Sequence, residues 1–217
     1  MKSAVSGQLV REVAMQLNAY LAPLGFVFNR KANRFSLLNP ARCIVIEVQK
    51  SSKSTASSAI VTTNIGIWYS TLAAKFGGPV SANGLSAMDC HWWLRAGQLD
   101  DVGQGRWWEV NKPHDIAVAG DIWASLLPAV ALLTPLKDDA EFLAYLLTTQ
   151  GPFLDPMNRW AFACVLAGAV GNLAAQLNAA SELNRIGEIR TLPIAHKMLL
   201  QSVRTGANKL VVACQSK

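Results

Sequence analysis

The sequence is poor in charge and in the side chains that metal and catalytic sites use most. Of its 217 residues 16% are charged and 51% are hydrophobic, and there are three histidines and four cysteines. The cysteines, at positions 43, 90, 164 and 214, form no CxxC pair, which argues against a zinc ribbon and a disulfide framework. A chain this apolar can bury enough surface to fold, so the composition excludes a disordered protein. We expect a packed cytoplasmic protein with reduced thiols.

Long uninterrupted hydrophobic runs are also missing. Arg11 and Glu12 break the N-terminal stretch, which therefore lacks the apolar core of a secretory signal and is predicted as an amphipathic helix. Residues 116–136 and 161–180 come nearest to a membrane span. One aspartate in the first and three amide side chains in the second interrupt the run of about 20 apolar residues that a span needs. We expect two buried helices and no membrane contact.

Sequence motifs of nucleotide-binding and hydrolytic enzymes do not occur. There is no GxSxG elbow, GQGRWW at residues 103–108 matches only the first part of GxGxxG, and the carboxylates are scattered. Cys90 and His91 are adjacent, so an extended chain would point them to opposite faces and not into one metal site. We therefore expect no cofactor and no metal ion, and we favour a protein that is not an enzyme.

The positive charge is concentrated in the first half of the chain. Residues 1–112 contain 12 Lys and Arg against 6 Asp and Glu, whereas residues 113–217 contain 8 of each. The excess is densest where a single carboxylate, Glu47, accompanies six basic residues: Arg30, Lys31, Arg34, Arg42, Lys50 and Lys53. Such a segment can attract nucleic acid or an acidic protein, but a solvated hairpin rim is the interpretation we favour.

The order of predicted elements is that of an α+β protein. Residues 5–22 have hydrophobic residues at helical spacing, and Pro23 and Gly25 end that pattern. Four strand-like runs follow, and the short turn-forming segments between them predict an antiparallel meander: FVFNR, RFSLLN, RCIVIEVQK and AIVTTNIGIWY. Within the third run the residues alternate between an apolar side and a mixed side that includes Glu47 and Gln49. Residues 70–88 are predicted as a long connection.

From about residue 113 the pattern is helical again. The predicted helices cover residues 114–133 and 138–149, a long helix with Asp155 as its cap and Pro156 in its first turn, and residues 193–205. A boundary near residues 134–137 divides the chain into an α+β sheet domain, residues 1–134, and a helical C-terminal extension, residues 135–217. The sequence leaves open whether the extension packs on the sheet as one unit, and it leaves the oligomeric state open.

Five short motifs in a fixed order resemble a bacterial family catalogued as domain of unknown function 4304. They are a Gly-Phe pair, a Gln-x-Ser element, an Asn-x-Gly-Ile element, an Arg-x-Gly-x-Leu element and a Trp-Trp pair. Their residues here are Gly25 and Phe26, Gln49 and Ser51, Asn64 with Gly66 and Ile67, Arg95 with Gly97 and Leu99, and Trp107 with Trp108. The resemblance covers roughly residues 5–112. It implies the helix-then-sheet order and carries no activity, substrate or cofactor.

Polar residues in the predicted central strands are the main indication of a site. Glu47, Gln49 and Asn64 lie among Val and Ile, where an unpaired polar group is costly. They either pair with each other and with Arg95 in a structural network, or they line a ligand cleft. The candidate binding residues, with Arg95 as charged anchor and Trp93 or Trp108 as aromatic wall, are Gln49, Asn64, His91, Trp93, Arg95 and Trp108.

These observations favour a non-catalytic binding or regulatory module. We expect it to recognise a small molecule or a protein partner through the sheet face and the tryptophan-rich segment, residues 89–110. One alternative is an enzyme with an unfamiliar site around Cys90, His91 and His114. Another is a single-strand nucleic-acid binder in which tryptophan rings stack on bases and arginines contact phosphates.

Overall fold

The computed structural model describes residues 4–79, 84–99, 104–113, 115–148, 154–189 and 191–215. Its helices are α1 (Ala4–Leu21), α2 (Ser70–Phe76), α3 (Ile116–Leu133), α4 (Asp139–Thr148), α5 (Pro156–Ala169), α6 (Leu173–Ile189) and α7 (Ile194–Gln215). Its strands are β1 (Val27–Asn29), β2 (Arg34–Asn39), β3 (Arg42–Lys50), β4 (Ala59–Tyr69), β5 (Trp92–Arg95) and β6 (Trp108–Val110). An N-terminal helix, an antiparallel sheet and C-terminal helices confirm the predicted α+β class.

The chain divides into two compact units. The sheet unit consists of residues 1–70 and 78–135, and the helical unit consists of residues 71–77 and 136–217. Most of α2 belongs to the helical unit, although it lies in the chain between β4 and β5, within the stretch predicted as a long connection. That the two parts are separate domains with a boundary at 134–137 remains a prediction.

The sheet is an antiparallel meander in which β4 is the longest strand and pairs with three others. The strand order is β1-β2-β3-β4-β5, and β6 also pairs with β4. β5 lies opposite residues 64–67 of β4, and β6 lies opposite residues 59–61, so the two short strands share one edge of β4. Between them, Ala96 donates its N–H to Thr63 O and Arg106 donates its N–H to Ala96 O. The tryptophan-rich segment therefore supplies the strands that complete the sheet along this edge of β4.

One face of the sheet is the hydrophobic core of the sheet unit, and we call it the core face. Ile44 and Ile46 of β3 are fully buried there, as are Leu9, Val13 and Leu17 of α1. α1 contacts β3 and β4, and α3 contacts β4 and β6. The opposite face, the polar face, includes the half-buried Glu47 and Gln49, as the alternation predicted.

Arg42 belongs to the core face and not to a solvated rim. It is 4% exposed, and its guanidinium donates from Nη1 to Leu133 O at 2.9 Å and from Nη2 to Thr134 O at 3.1 Å. These carbonyls lie at the C-terminal end of α3, where backbone oxygens lack partners within the helix and a cation interacts favourably with the helix dipole. The prediction of an exposed rim is wrong for this residue because its partner is 91 residues away in sequence.

α3 corresponds to the first of the two stretches that come nearest to a membrane span. α3 is, by length and composition, the one helix in the described part of the chain that could span a membrane; its mean hydropathy is 1.9 and 39% of it is buried.

The single long helix predicted after Asp155 is wrong, because α5 and α6 are separated by a turn in which Gly171 has φ +73°. The predicted start is confirmed, since Asp155 Oδ1 accepts the N–H of Met157 at 2.8 Å.

Residues 84–91, which we call the strap, cross the polar face directly over Gly66. A Cβ atom on Gly66 would lie 2.4 Å from Ala87 O and 2.7 Å from Cys90 Cβ. Neither atom is the flexible end of a side chain, so a larger residue at this position would displace the strap. Glycine at position 66 is therefore required by the close approach of two backbones.

We predict that Gly66→Ala lowers the free energy of unfolding by about 1–3 kcal/mol, because the added methyl group must displace the strap. Urea denaturation, followed by circular dichroism, measures the change. Gly7→Ala is the control: it lies in α1 with nothing within 4 Å of an added Cβ, and it should stabilise the helix by up to about 1 kcal/mol. Equal effects of the two substitutions would contradict the role of Gly66.

Candidate functional site

The strap is held on the polar face by an ion pair between neighbouring strands. Arg34 of β2 donates from Nη2 to Glu47 Oε1 at 3.1 Å and from Nη1 to Gly84 O at 2.7 Å. Glu47 Oε2 accepts the N–H of Ala87 at 3.3 Å. The side chains are 17% and 22% exposed, so the pair is partly shielded from water. Arg34 is therefore not part of a solvated rim, and Glu47 pairs with Arg34 and not with Arg95.

On the other side of the strap, three polar side chains form a continuous network across β3, β4 and β5. Asn64 donates from Nδ2 to Gln49 Oε1 at 2.9 Å, and Arg95 donates from Nε to Asn64 Oδ1 at 3.3 Å. Asn64 is 1% exposed, whereas Gln49 and Arg95 are half-buried. The register places Asn64 directly opposite Arg95. The pairing predicted for Gln49, Asn64 and Arg95 is present, with the buried amide in the middle.

The guanidinium group of Arg95 lies over the ring of Trp107, which was not among the predicted binding residues. Its Cζ atom is 5.1 Å from the centroid of Trp107, whose side chain is 42% exposed. A Cβ atom on Gly105 would lie 2.5 Å from Arg95 Cδ, so the backbone there also confines the arginine. Arg95 is thus held by an amide oxygen, a ring face and a close backbone.

Trp108, one of the two residues predicted as the aromatic wall, lies on the core face. It pairs with Val61 in the register, and alternation along β4 puts Val61 on the opposite face from Asn64. Trp93 pairs with Gly66 and is half-buried on the polar face. The signal for Trp107 was present in RWWEV, because the same alternation sends Trp107 and Trp108 to opposite sides.

His91 lies outside this network. Its Nδ1 atom accepts the N–H of Tyr69 at 3.1 Å, and its ring stacks on Trp68 with the centroids 6.3 Å apart. Burial lowers the pKa of His91 from its ordinary value of 6.5 to about 4. The imidazole is therefore neutral at physiological pH, where Nδ1 is free to accept a hydrogen bond.

Cys90 has the environment of a structural thiol. It is 8% exposed, its Sγ donates to Ser86 O at 3.6 Å, and burial raises the pKa of the thiol. A thiol that stays protonated is a poor nucleophile and a poor metal ligand. Across the described ranges no group of three His, Cys, Asp or Glu side chains is arranged to hold a metal ion. His114, the third member of the alternative enzyme site, lies outside the described residues.

The family comparison covers the part of the chain in which this network lies. Residues 17–122 match the family model described as domain of unknown function (DUF4304). The resemblance predicted from the five motifs is confirmed over this range, which contains all six strands. No curated protein and no solved structure gives a significant match to the chain. The DUF4304 match thus includes Gln49, Asn64, Arg95 and Trp107, and the functional question rests on their geometry.

We predict that His91 makes stability depend on pH below neutrality. Between its folded pKa of about 4 and the ordinary 6.5, the unfolded chain binds a proton that the folded protein does not. The stabilisation is therefore complete above pH 6.5 and declines as the pH falls towards 4. His91→Asn keeps an acceptor for the Tyr69 N–H and removes the titration, so it should flatten this decline.

The test is urea denaturation of the wild type and of His91→Asn at pH 7.5 and pH 5. The pKa of His196 is also lowered by burial, so only the difference between the two proteins reports on His91. Parallel losses of stability in both proteins would show that His91 does not titrate as its burial implies.

Proposed function

We propose that the sheet unit is a non-catalytic recognition module that binds a small molecule or a protein partner on its polar face. Arg95 is the charged anchor and donates hydrogen bonds to a carboxylate or phosphate group of the ligand. Trp107 supports the guanidinium, and Gln49 and Asn64 are the neutral hydrogen-bonding groups beside it. A cytoplasmic location belongs to the same proposal and is supported by three buried, unpaired thiols: Cys43, Cys90 and Cys164.

The fixed orientation of Arg95 is the observation that carries this proposal. Its Nε is engaged by Asn64 Oδ1 and its plane lies over Trp107, while Nη1 and Nη2 make no hydrogen bond to any residue that the structure describes. A guanidinium held in this way presents two parallel donors, the arrangement that binds carboxylate and phosphate groups bidentately. Because the side chain of Arg95 is already ordered, binding a ligand costs little of its conformational entropy.

The geometry gives less support to the nucleic-acid alternative. Trp68 is 4% and Trp92 is 3% exposed, so neither ring offers a face for stacking on a base. Arg42 is engaged at the end of α3, and Arg34 is engaged by the strap. Trp93 and Trp108 are half-buried, and Trp107, at 42% exposure, is the one exposed ring among these five tryptophans.

We predict that Arg95→Ala weakens anion binding at least about tenfold, because the guanidinium is the charged anchor of the ligand. It also lowers the unfolding temperature, because Asn64 Oδ1 loses its donor. The probes are inorganic phosphate and a series of small dicarboxylates, titrated against tryptophan fluorescence. Arg11→Ala, which removes an exposed arginine of α1, is the matched control and should bind like the wild type. Wild-type binding by the folded Arg95→Ala protein, or no binding of any probe by the wild type, would contradict the proposal.

We predict that Cys90 is not modified by a water-soluble thiol reagent in the folded protein, because the thiol is buried and protonated. Mass spectrometry of peptides from protein labelled before and after urea addition measures this. The experiment uses Cys214→Ser, which leaves three described thiols, all buried. Rapid labelling of Cys90 near neutral pH would restore the enzyme alternative.

A further inference from the structure

The strap leaves a second open surface on the other side of the polar face, next to the edge of the sheet. It is a groove of about 460 Å³, and we call it the β1 groove. Val45, which is 1% exposed, and Leu85, which is 3% exposed, are its most buried lining residues. Val27 and Leu38 lie on the same face and are 66% and 55% exposed. The groove therefore combines a buried apolar floor with two apolar side chains that are open to solvent.

The β1 groove is basic. Three of its lining residues are cationic, Arg30, Lys31 and Arg34, and none of its described lining residues is acidic. Glu47 neutralises Arg34, so Arg30 and Lys31 supply the net positive charge. Both are exposed at the turn between β1 and β2, and on their far side they adjoin Arg11 and Glu12 of α1, which add no net charge. Charge complementarity therefore requires an acidic occupant.

The edge of the sheet beside the groove is open along β1. β1 is an edge strand that pairs with β2 on one side, and no described residue pairs with its outer side. An edge strand presents unpaired backbone N–H and C=O groups that an extended segment can satisfy by pairing as a further strand. Natural sheets often protect such edges with charged side chains. Here the charged residues, Arg30 and Lys31, follow the C-terminal end of β1, and Val27 at its other end is exposed.

We propose that the β1 groove binds an extended acidic peptide segment of a protein partner, which adds to the sheet as a strand beside β1. Acidic side chains of the segment contact Arg30 and Lys31, and its apolar side chains, at alternate positions, cover Val27 and Leu38. The surface is separate from the Arg95 network, because the strap lies between them.

The test measures fluorescence anisotropy of a labelled peptide of alternating Glu and Val, long enough for one strand of about six residues, with the full-length protein. We expect this peptide to bind and the peptide with Lys in place of Glu not to bind. Arg30→Glu with Lys31→Glu should weaken binding at least about tenfold. The double variant Lys53→Glu with Lys112→Glu has the same change in charge on exposed residues outside the groove and should bind within about twofold of the wild type.

Strand addition has its own signature. N-methylation of alternate peptide amides should abolish binding when the methylated set faces β1 and should have little effect when the other set is methylated. Arg95→Ala should bind the peptide like the wild type, so failure at one surface is distinguishable from failure at the other. The proposal is overturned if both double variants weaken binding equally, if both methylation patterns are tolerated, or if oligothymidylate of equal charge displaces the peptide as well as unlabelled peptide does.

Discussion

The close approach of the strap to Gly66 is the constraint on which the arrangement of the polar face depends. A strand residue without a side chain lets the backbone of Ala87 and the Cβ of Cys90 lie against β4. The ion pair of Arg34 and Glu47 then holds the first half of the strap, through Gly84 O and the Ala87 N–H. Removing one partner of such a partly buried pair would leave the other charge poorly solvated, so the position of the strap depends on the intact pair.

The strap also explains why one sheet face has two surfaces of different character. On one side lies the Gln49, Asn64 and Arg95 network, in which a buried amide is satisfied by both neighbouring strands. Leaving Asn64 unpaired at 1% exposure would be costly, so the network contributes to strand register as well as to a binding surface. On the other side lies the β1 groove, beside a basic turn and an edge strand whose outer side pairs with no described residue.

Much of the fold and part of the site could be predicted from the sequence. The alternation of apolar and polar residues in β3 predicted which side chains lie on the core face and which lie on the polar face. The cost of burying unpaired amides predicted that Gln49 and Asn64 pair with Arg95. The roles of Arg34 and Trp107 could not be predicted in the same way. Each depends on a partner that is distant in the chain, Gly84 for Arg34 and Arg95 for Trp107, and alternation says nothing about such partners.

The sequence by itself determined the α+β class, the two faces of the central strands and the absence of the spacings that known catalytic motifs need, because these properties follow from local periodicity and residue chemistry. Only the tertiary structure decided that Arg42 binds the end of α3, that Trp108 lies on the core face, and that Gly66 admits the strap. Those outcomes depend on strand register and on contacts across many residues, where a shift of one position would exchange the two faces.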